Sequence, residues 1–150
     1  MRLAVIGTGY VGLVTGTCFA EMGSDVVCVD IDEAKLDRLR NDDLPIYEPG
    51  LVILFERSKK EGRLTFTSSL ADAVPEADVV FLTLPTPPGE DGSADLSRVM
   101  QATKAVARHL SGYTVVVSKS TVPVGTTDKL SEIIEEHKPD DATFDAETNP

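Results

Sequence analysis

The sequence predicts an α/β fold: a doubly wound, six-stranded parallel sheet of order 3-2-1-4-5-6, with helices on both faces. Three observations predict it. Short apolar runs alternate with helix-patterned stretches along all 150 residues. A glycine-rich turn, Gly7-Thr8-Gly9-Tyr10-Val11-Gly12, joins the first apolar run to the first helical stretch. An acid, Asp30, closes the second apolar run 18 residues beyond Gly12. Right-handed crossovers between parallel neighbours then select the winding order.

The elements follow in turn. The first strand is read over 2–6 and the first helix over 10–22. Gly7 lets the chain turn sharply out of the strand, and Gly12 lets the helix lie close against it. Gly16 and Ala20 continue that small-residue stripe at helical spacing. Val11, Val14, Cys18 and Met22 also recur at helical spacing and are read as apolar positions, with Cys18 on the inner face. The second strand spans 26–29. Asp32 caps the second helix, 33–40.

A polar, proline-containing loop, 41–49, leads to a helix over 50–60 with Leu51, Leu54 and Phe55 inward. Gly62 ends it, and 64–67 is a short third strand. A brief helix over 69–73 stops before Pro75. The fourth strand, 79–84, is followed by a loop rich in proline and glycine that runs to Asp95. Asp95 caps the helix 96–110, whose inward residues are Leu96, Val99, Met100, Thr103, Val106 and Leu110. The fifth strand is 114–118. A loop over 119–124 precedes a helix over 126–137 with Leu130, Ile133 and Ile134 inward, and 142–147 forms the sixth strand.

Hydrophobic content of 41% and charged content of 26% fit one ordinary globular domain, and no internal boundary or repeat interrupts residues 1–150. The net charge of −11 argues against nucleic acid and anionic membrane as partners. It does not forbid a phosphate ligand, which helix N-termini bind locally. No apolar run approaches the ~20 residues of a membrane helix. The first strand begins at residue 2, leaving no room for a signal peptide, so the expected compartment is the cytoplasm. Cys18 and Cys28 read as small buried hydrophobes with reduced thiols, not as nucleophiles. No metal site is expected.

The chemistry concentrates at the glycine turn. A strand, a glycine turn and a helix together aim free N–H groups and a positive helix end at an anion. Gly9 lacks a Cβ, so a pyrophosphate can approach the backbone there. Asp30 is placed to accept hydrogen bonds from an adenosine ribose and to repel a 2′-phosphate. The combination describes a Rossmann domain that takes NAD in preference to NADP. Loops after the strand C-termini line the crevice of such sheets, which selects the segments starting at Gly7, Asp30, Pro85, Lys119 and Thr148.

The residues alone leave several roles open. Lys35, one turn into its helix, reads as a solvated charge that can reach the ribose. Thr86, between two prolines, either stiffens a turn or meets a ligand. Thr126 is nearer the following helix start than Thr121, which frees Thr121 for a ligand. Tyr47 and Glu48 read as anchors of their loop, and Lys119 as a loop anchor. His109 and His137 suit helix C-termini and receive no catalytic role.

Five stretches carry a family resemblance. They are the turn from Gly7 to Leu13; Leu44-Pro45-Ile46-Tyr47-Glu48-Pro49-Gly50-Leu51; the run from Leu82 through Pro88 with Asp91 to Leu96; Ser118-Lys119-Ser120-Thr121-Val122-Pro123-Val124-Gly125-Thr126; and Thr148-Asn149-Pro150. In this order they closely resemble the N-terminal NAD-binding domain of the UDP-glucose/GDP-mannose dehydrogenase family, and within it the branch acting on UDP-glucose. The resemblance covers the whole chain. It implies an enzyme that oxidises the C6 alcohol of a nucleotide sugar to a carboxylate with two NAD, through a cysteine-bound thiohemiacetal and thioester. It implies contacts to NAD from the Gly7–Gly9–Gly12 turn with Tyr10 and Val11, and from Asp30, Lys35, Thr86 and Thr121. It also implies a place for Thr121 beside the reaction centre, positioning water and an acid, and for Asn149 at the sugar site.

The chain departs from the family's pattern at its end. The glutamate that would follow Pro150, and the family's later lysine, asparagine and catalytic cysteine, are not in it. The expectation is therefore the cofactor part of a longer enzyme, binding NAD without turnover. The full enzyme is expected to be a homodimer, and this chain a monomer or weakly associating. Two alternatives remain open: another nucleotide sugar, such as UDP-N-acetylmannosamine or GDP-mannose, and a non-catalytic NAD-binding module.

Overall fold

The computed structural model describes residues 1–149; Pro150 lies outside the described residues. In chain order the elements are β1 (Arg2–Ile6), α1 (Tyr10–Glu21), β2 (Asp25–Val29), α2 (Glu33–Arg40), α3 (Leu51–Lys60) and β3 (Leu64–Thr67). There follow α4 (Leu70–Ala73), β4 (Val79–Leu82), α5 (Ser97–Ala107), β5 (Tyr113–Ser118), α6 (Thr126–His137) and β6 (Thr143–Thr148). The strands form one sheet, β3-β2-β1-β4-β5-β6, with every pairing parallel, as the sequence predicts.

β1 is the centre of that order, and its composition explains why. Leu3, Ala4, Val5 and Ile6 are all buried, as a strand covered on both faces requires. Side chains alternate across the sheet. Leu3 and Val5 join Leu13, Ala20, Phe55 and Phe81 in one core, beneath α1 and α3. Ala4 and Ile6 join Val99, Val106, Leu130 and Ile134 in the other, beneath α5 and α6. Fully buried leucines such as Leu13, Leu36 and Leu39 each contribute about 2 kcal/mol of burial free energy. Phe19 stacks on Phe81 with ring centroids 5.3 Å apart.

The structure corrects the reading of α1. Cys18 is exposed, and Met22 beyond the helix end is exposed too. The buried residues are Gly12, Leu13, Gly16, Thr17 and Ala20. Apolar residues occupy both sides of this helix, so spacing alone does not choose a face. Close approach chooses it: a Cβ on Gly16 would come 3.0 Å from Cys28 Sγ in β2. The sheet meets the glycine stripe and turns Cys18 to solvent.

Other boundaries shift by one to three residues. β4 ends at Leu82 rather than at residue 84; the Thr83 N–H still donates to the Ile6 carbonyl at 2.9 Å, and its hydroxyl lies 2.9 and 3.0 Å from the Ile6 and Gly7 carbonyls. α5 starts at Ser97 and ends at Ala107, so Leu96 precedes it and is only partly buried. The N-cap is therefore Leu96, without a side-chain cap, and not Asp95, which accepts the Ser97 N–H at 2.9 Å from one residue further back. Asp32 caps α2 as expected, accepting the Lys35 N–H at 3.1 Å. Ala142 is buried just ahead of β6 instead of opening it.

Candidate functional site

Parallel strands all end at the same edge, so the loops that follow them converge. Above the C-terminal ends of β1, β2, β4 and β5 they enclose a cleft of about 960 Å³. Gly7, Gly9, Tyr10, Val11, Asp30, Lys35, Thr86 and Thr121 all line it, so eight residues singled out from sequence meet in one space. Thr8, Thr83, Arg98 and Lys119 border it too.

The three glycines divide into two kinds. Gly7 has φ +108°, a conformation few side chains adopt, and a Cβ there would lie 2.9 Å from the Thr83 carbonyl. A Cβ on Gly12 would lie 2.0 Å from the Gly7 carbonyl. These two shape the turn, and Gly12 does not itself line the cleft. Gly9 differs: nothing lies within 4 Å of where its Cβ would be. It is also the N-cap of α1 and offers no side-chain cap. The first N–H groups of a helix have no intrahelical acceptor, and here the helix's positive end faces open space.

Asp30 stands across the turn, just past the end of β2. Its Oδ2 accepts the Thr8 N–H at 3.0 Å and the Thr8 hydroxyl at 2.5 Å. Its Oδ1 accepts the Asp32 N–H at 3.1 Å. Lys35 Nζ lies 3.8 Å from Oδ2. Partial burial pushes the Asp30 carboxyl up, but these hydrogen bonds, with help from Lys35, outweigh it and hold the group below its ordinary value. Thr8 was not singled out from sequence. The available signal was a hydroxyl between the first two glycines, at a position where any residue satisfies the motif.

The remaining loops are tied together. Thr86 Oγ1 donates to the Thr121 carbonyl at 3.2 Å, joining the loops after β4 and β5. Ser120 Oγ donates to the Leu84 carbonyl at 2.6 Å and makes a second tie. The Tyr10 hydroxyl donates to the Glu48 carboxylate, so Glu48 anchors the loop before α3, as the sequence suggests, while Tyr47 is exposed. The tie raises the Tyr10 phenol's pKa, because Glu48 favours the protonated form. Asn149 follows β6, donating its N–H to the Ser118 carbonyl at 2.8 Å. It sits at the same sheet edge but does not line the cleft.

The fit to a dinucleotide is specific. The cleft gathers Lys35, Arg98 and Lys119 against one carboxylate, Asp30, in a chain whose net charge is −11. An open helix end over Gly9 suits a pyrophosphate. A fixed carboxylate at the end of β2 suits a ribose diol. Cys18 and Cys28 lie outside the cleft lining. Burial pushes the Cys28 thiol up to about 12.

Comparison with known proteins agrees with this geometry. The model of the UDP-glucose/GDP-mannose dehydrogenase family, NAD-binding domain, matches residues 1–150. The chain is 48% identical to a UDP-glucose 6-dehydrogenase of Bacillus subtilis over 149 residues, covering 99% of this chain and 32% of that protein. It is 53% identical to a UDP-glucose 6-dehydrogenase of Pseudomonas aeruginosa over 134 residues, covering 89% and 30%. Among solved structures it resembles a UDP-glucose dehydrogenase of Pyrobaculum islandicum at TM-score 0.93 and 40% identity, covering 99% of this chain and 35% of that one. A GDP-mannose dehydrogenase of Pseudomonas aeruginosa matches at TM-score 0.89 and 30% identity, covering 100% and 36%. The chain spans about a third of the length of the curated relatives it matches.

Proposed function

The chain belongs to the UDP-glucose/GDP-mannose dehydrogenase family as its NAD-binding domain, and from that membership we propose that it serves the oxidation of UDP-glucose at C6 to the carboxylate. The observation that carries the reading is Asp30, held ionised opposite the open end of α1. UDP-glucose is favoured over GDP-mannose and UDP-N-acetylmannosamine by identity. The UDP-glucose 6-dehydrogenases above match at 48% and 53%, whereas solved dehydrogenases for the other two sugars match at 30% and 31%.

NAD, when bound, supplies the hydride acceptor. This chain's part is to bind and orient it. The N–H groups of the first turn of α1 would hold the pyrophosphate, with Tyr10 and Val11 bordering it. Asp30 would accept the adenosine ribose hydroxyls, with Lys35 alongside, and would reject a 2′-phosphate by charge. Thr86 and Thr121, tied to each other, would border the other arm of the dinucleotide. Thr121 is assigned the place beside the reacting carbon, positioning water and an acid, and Asn149 a place on the sugar side.

Neither cysteine is placed for the family's covalent step. We therefore expect this chain to bind NAD without turning over UDP-glucose, as one domain over residues 1–150 and as a monomer or weak associate. Among the described residues no helix is long and apolar enough to cross a membrane, and a cytoplasmic location goes with the proposal.

The test is calorimetric titration with NAD, with NADP and with the Asp30→Ala chain. NAD binding, weaker NADP binding and loss in the variant are expected. Absence of NAD binding, or turnover of UDP-glucose by this chain at ordinary enzymatic rates, would overturn the corresponding half of the proposal.

A further inference from the structure

Asp30 is gripped by the protein itself, and two of the three hydrogen bonds on its carboxylate come from one residue. Thr8 places both its N–H and its hydroxyl on Oδ2, at 3.0 and 2.5 Å. Thr8 is 1% exposed, and its main chain follows directly from the left-handed turn at Gly7. The Gly7 N–H donates to the Val29 carbonyl at 2.8 Å, which fixes the turn against the end of β2 where Asp30 begins. We propose that Thr8 is a positioning and specificity residue, whose hydroxyl locks the Asp30 carboxylate in the orientation that receives an adenosine ribose and refuses a 2′-phosphate. The inference rests on the dinucleotide reading above and deepens it.

Acceptor capacity sets which part of the carboxylate stays open. A carboxylate offers about four acceptor sites. Thr8 occupies two on Oδ2, and the Asp32 N–H occupies one on Oδ1. The open acceptor is therefore on Oδ1, and the plane of the group is fixed by donors on both oxygens. The hydroxyl bond has the length of a charge-assisted one, and such bonds are about twice as strong as neutral ones. Without it, only two longer backbone N–H bonds, at 3.0 and 3.1 Å, hold the group against Lys35, whose ammonium lies 3.8 Å away and one turn into α2. The carboxylate would then turn toward Lys35, and its charge would stand less directly in the path of a 2′-phosphate. Thr8 works through Asp30, since its own surface is almost wholly covered.

The experiment compares the unmodified chain with Thr8→Val, which keeps the branched shape, and Thr8→Ser, which keeps the hydroxyl. Each is titrated with NAD and with NADP. Thr8→Val should weaken NAD roughly tenfold and narrow the NAD-to-NADP preference about fivefold. Thr8→Ser should keep both. A role in packing alone would weaken the two dinucleotides equally and would leave the preference where it was; that result overturns the proposal.

A second measurement does not need the valine variant to fold. Carbon-13 NMR follows the Asp30 carboxyl through acid titration in the unmodified chain and in Thr8→Ala. The alanine variant should titrate at higher pH, and coincident curves would overturn the proposal. NAD binding with an unchanged preference defeats this inference alone. Failure of the unmodified chain to bind either dinucleotide defeats the cofactor reading, and this inference with it.

Discussion

Thr83 occupies the space that a side chain on Gly12 would need. A Cβ at Gly12 would lie 2.7 Å from Thr83 Oγ1, and the Thr83 hydroxyl is fixed there by the Ile6 and Gly7 carbonyls. The end of β4 thus clamps the glycine turn from beneath while α1 presses on it from one side. The glycine-turn end of the cleft is built by packing, and its face above Gly9 is left open.

That division predicts opposite outcomes for two similar substitutions. Gly12→Ala forces a Cβ to 2.0 Å from a backbone oxygen and should lower stability by about 3 kcal/mol, read by urea unfolding. Gly9→Ala meets no atom within 4 Å and should cost about 1 kcal/mol or less. Its effect should appear in NAD affinity, since the added methyl stands where the pyrophosphate approaches. Equal losses of stability in both variants would contradict the division.

The hydrogen bonds to Asp30 give the fold an acid-sensitive contribution of known sign. Thr8, Asp32 and Lys35 favour the ionised form enough to overcome burial, so the folded-state pKa lies below 3.8. A depressed carboxyl adds stability above its unfolded value and loses it as pH falls from there through the folded value. Asp30→Asn should therefore lose less stability than the unmodified chain as the pH falls below about 4. Circular dichroism along an acid titration checks this, and parallel curves would show that Asp30 contributes nothing.

The two thiols should react very differently. Cys18 is exposed on α1, while Cys28 is buried in β2 with its pKa pushed up to about 12. The thiolate is the reactive form. Iodoacetamide at pH 8 should label Cys18 in the native chain and reach Cys28 only on unfolding. Mass spectrometry of the labelled peptides distinguishes them, and labelling of Cys28 in the folded chain would show that the β2 core opens.

Thr86 ties two loops through one hydrogen bond to the Thr121 carbonyl. Thr86→Val should change stability by about 1 kcal/mol or less, because the bond is exposed. It should weaken NAD severalfold if the two threonines border the dinucleotide as proposed. Titration calorimetry beside a thermal melt separates the two effects, and unchanged affinity would leave Thr86 as a stiffener of its proline loop.

Much of this was legible in the residues. Continuous apolar runs gave the central strands, because a parallel strand buries both faces and so needs no alternation. The glycine turn and Asp30 were legible because each carries a geometric demand that few other residues satisfy. The inner face of α1 was not, since apolar residues lie on both sides and the choice depends on which side lets the sheet approach. The tie from Thr83 to the glycine turn was not legible either, since its carbonyl partners lie 77 and 76 residues away in sequence. Thr8 escaped for the same reason: its partner lies 22 residues on, and nothing local marks it.

The open helix end above Gly9 has a consequence for how the site can fail. Its donors are peptide groups, which do not titrate near neutrality and which no ordinary side-chain substitution can delete. The phosphate hold can be obstructed by bulk or released by unfolding, but it cannot be disarmed in place. The end proposed for the ribose has the contrary character, because Asp30 is a single replaceable group. Replacement of Asp30 would therefore remove the ribose contact at a stroke while the backbone donors stayed in place.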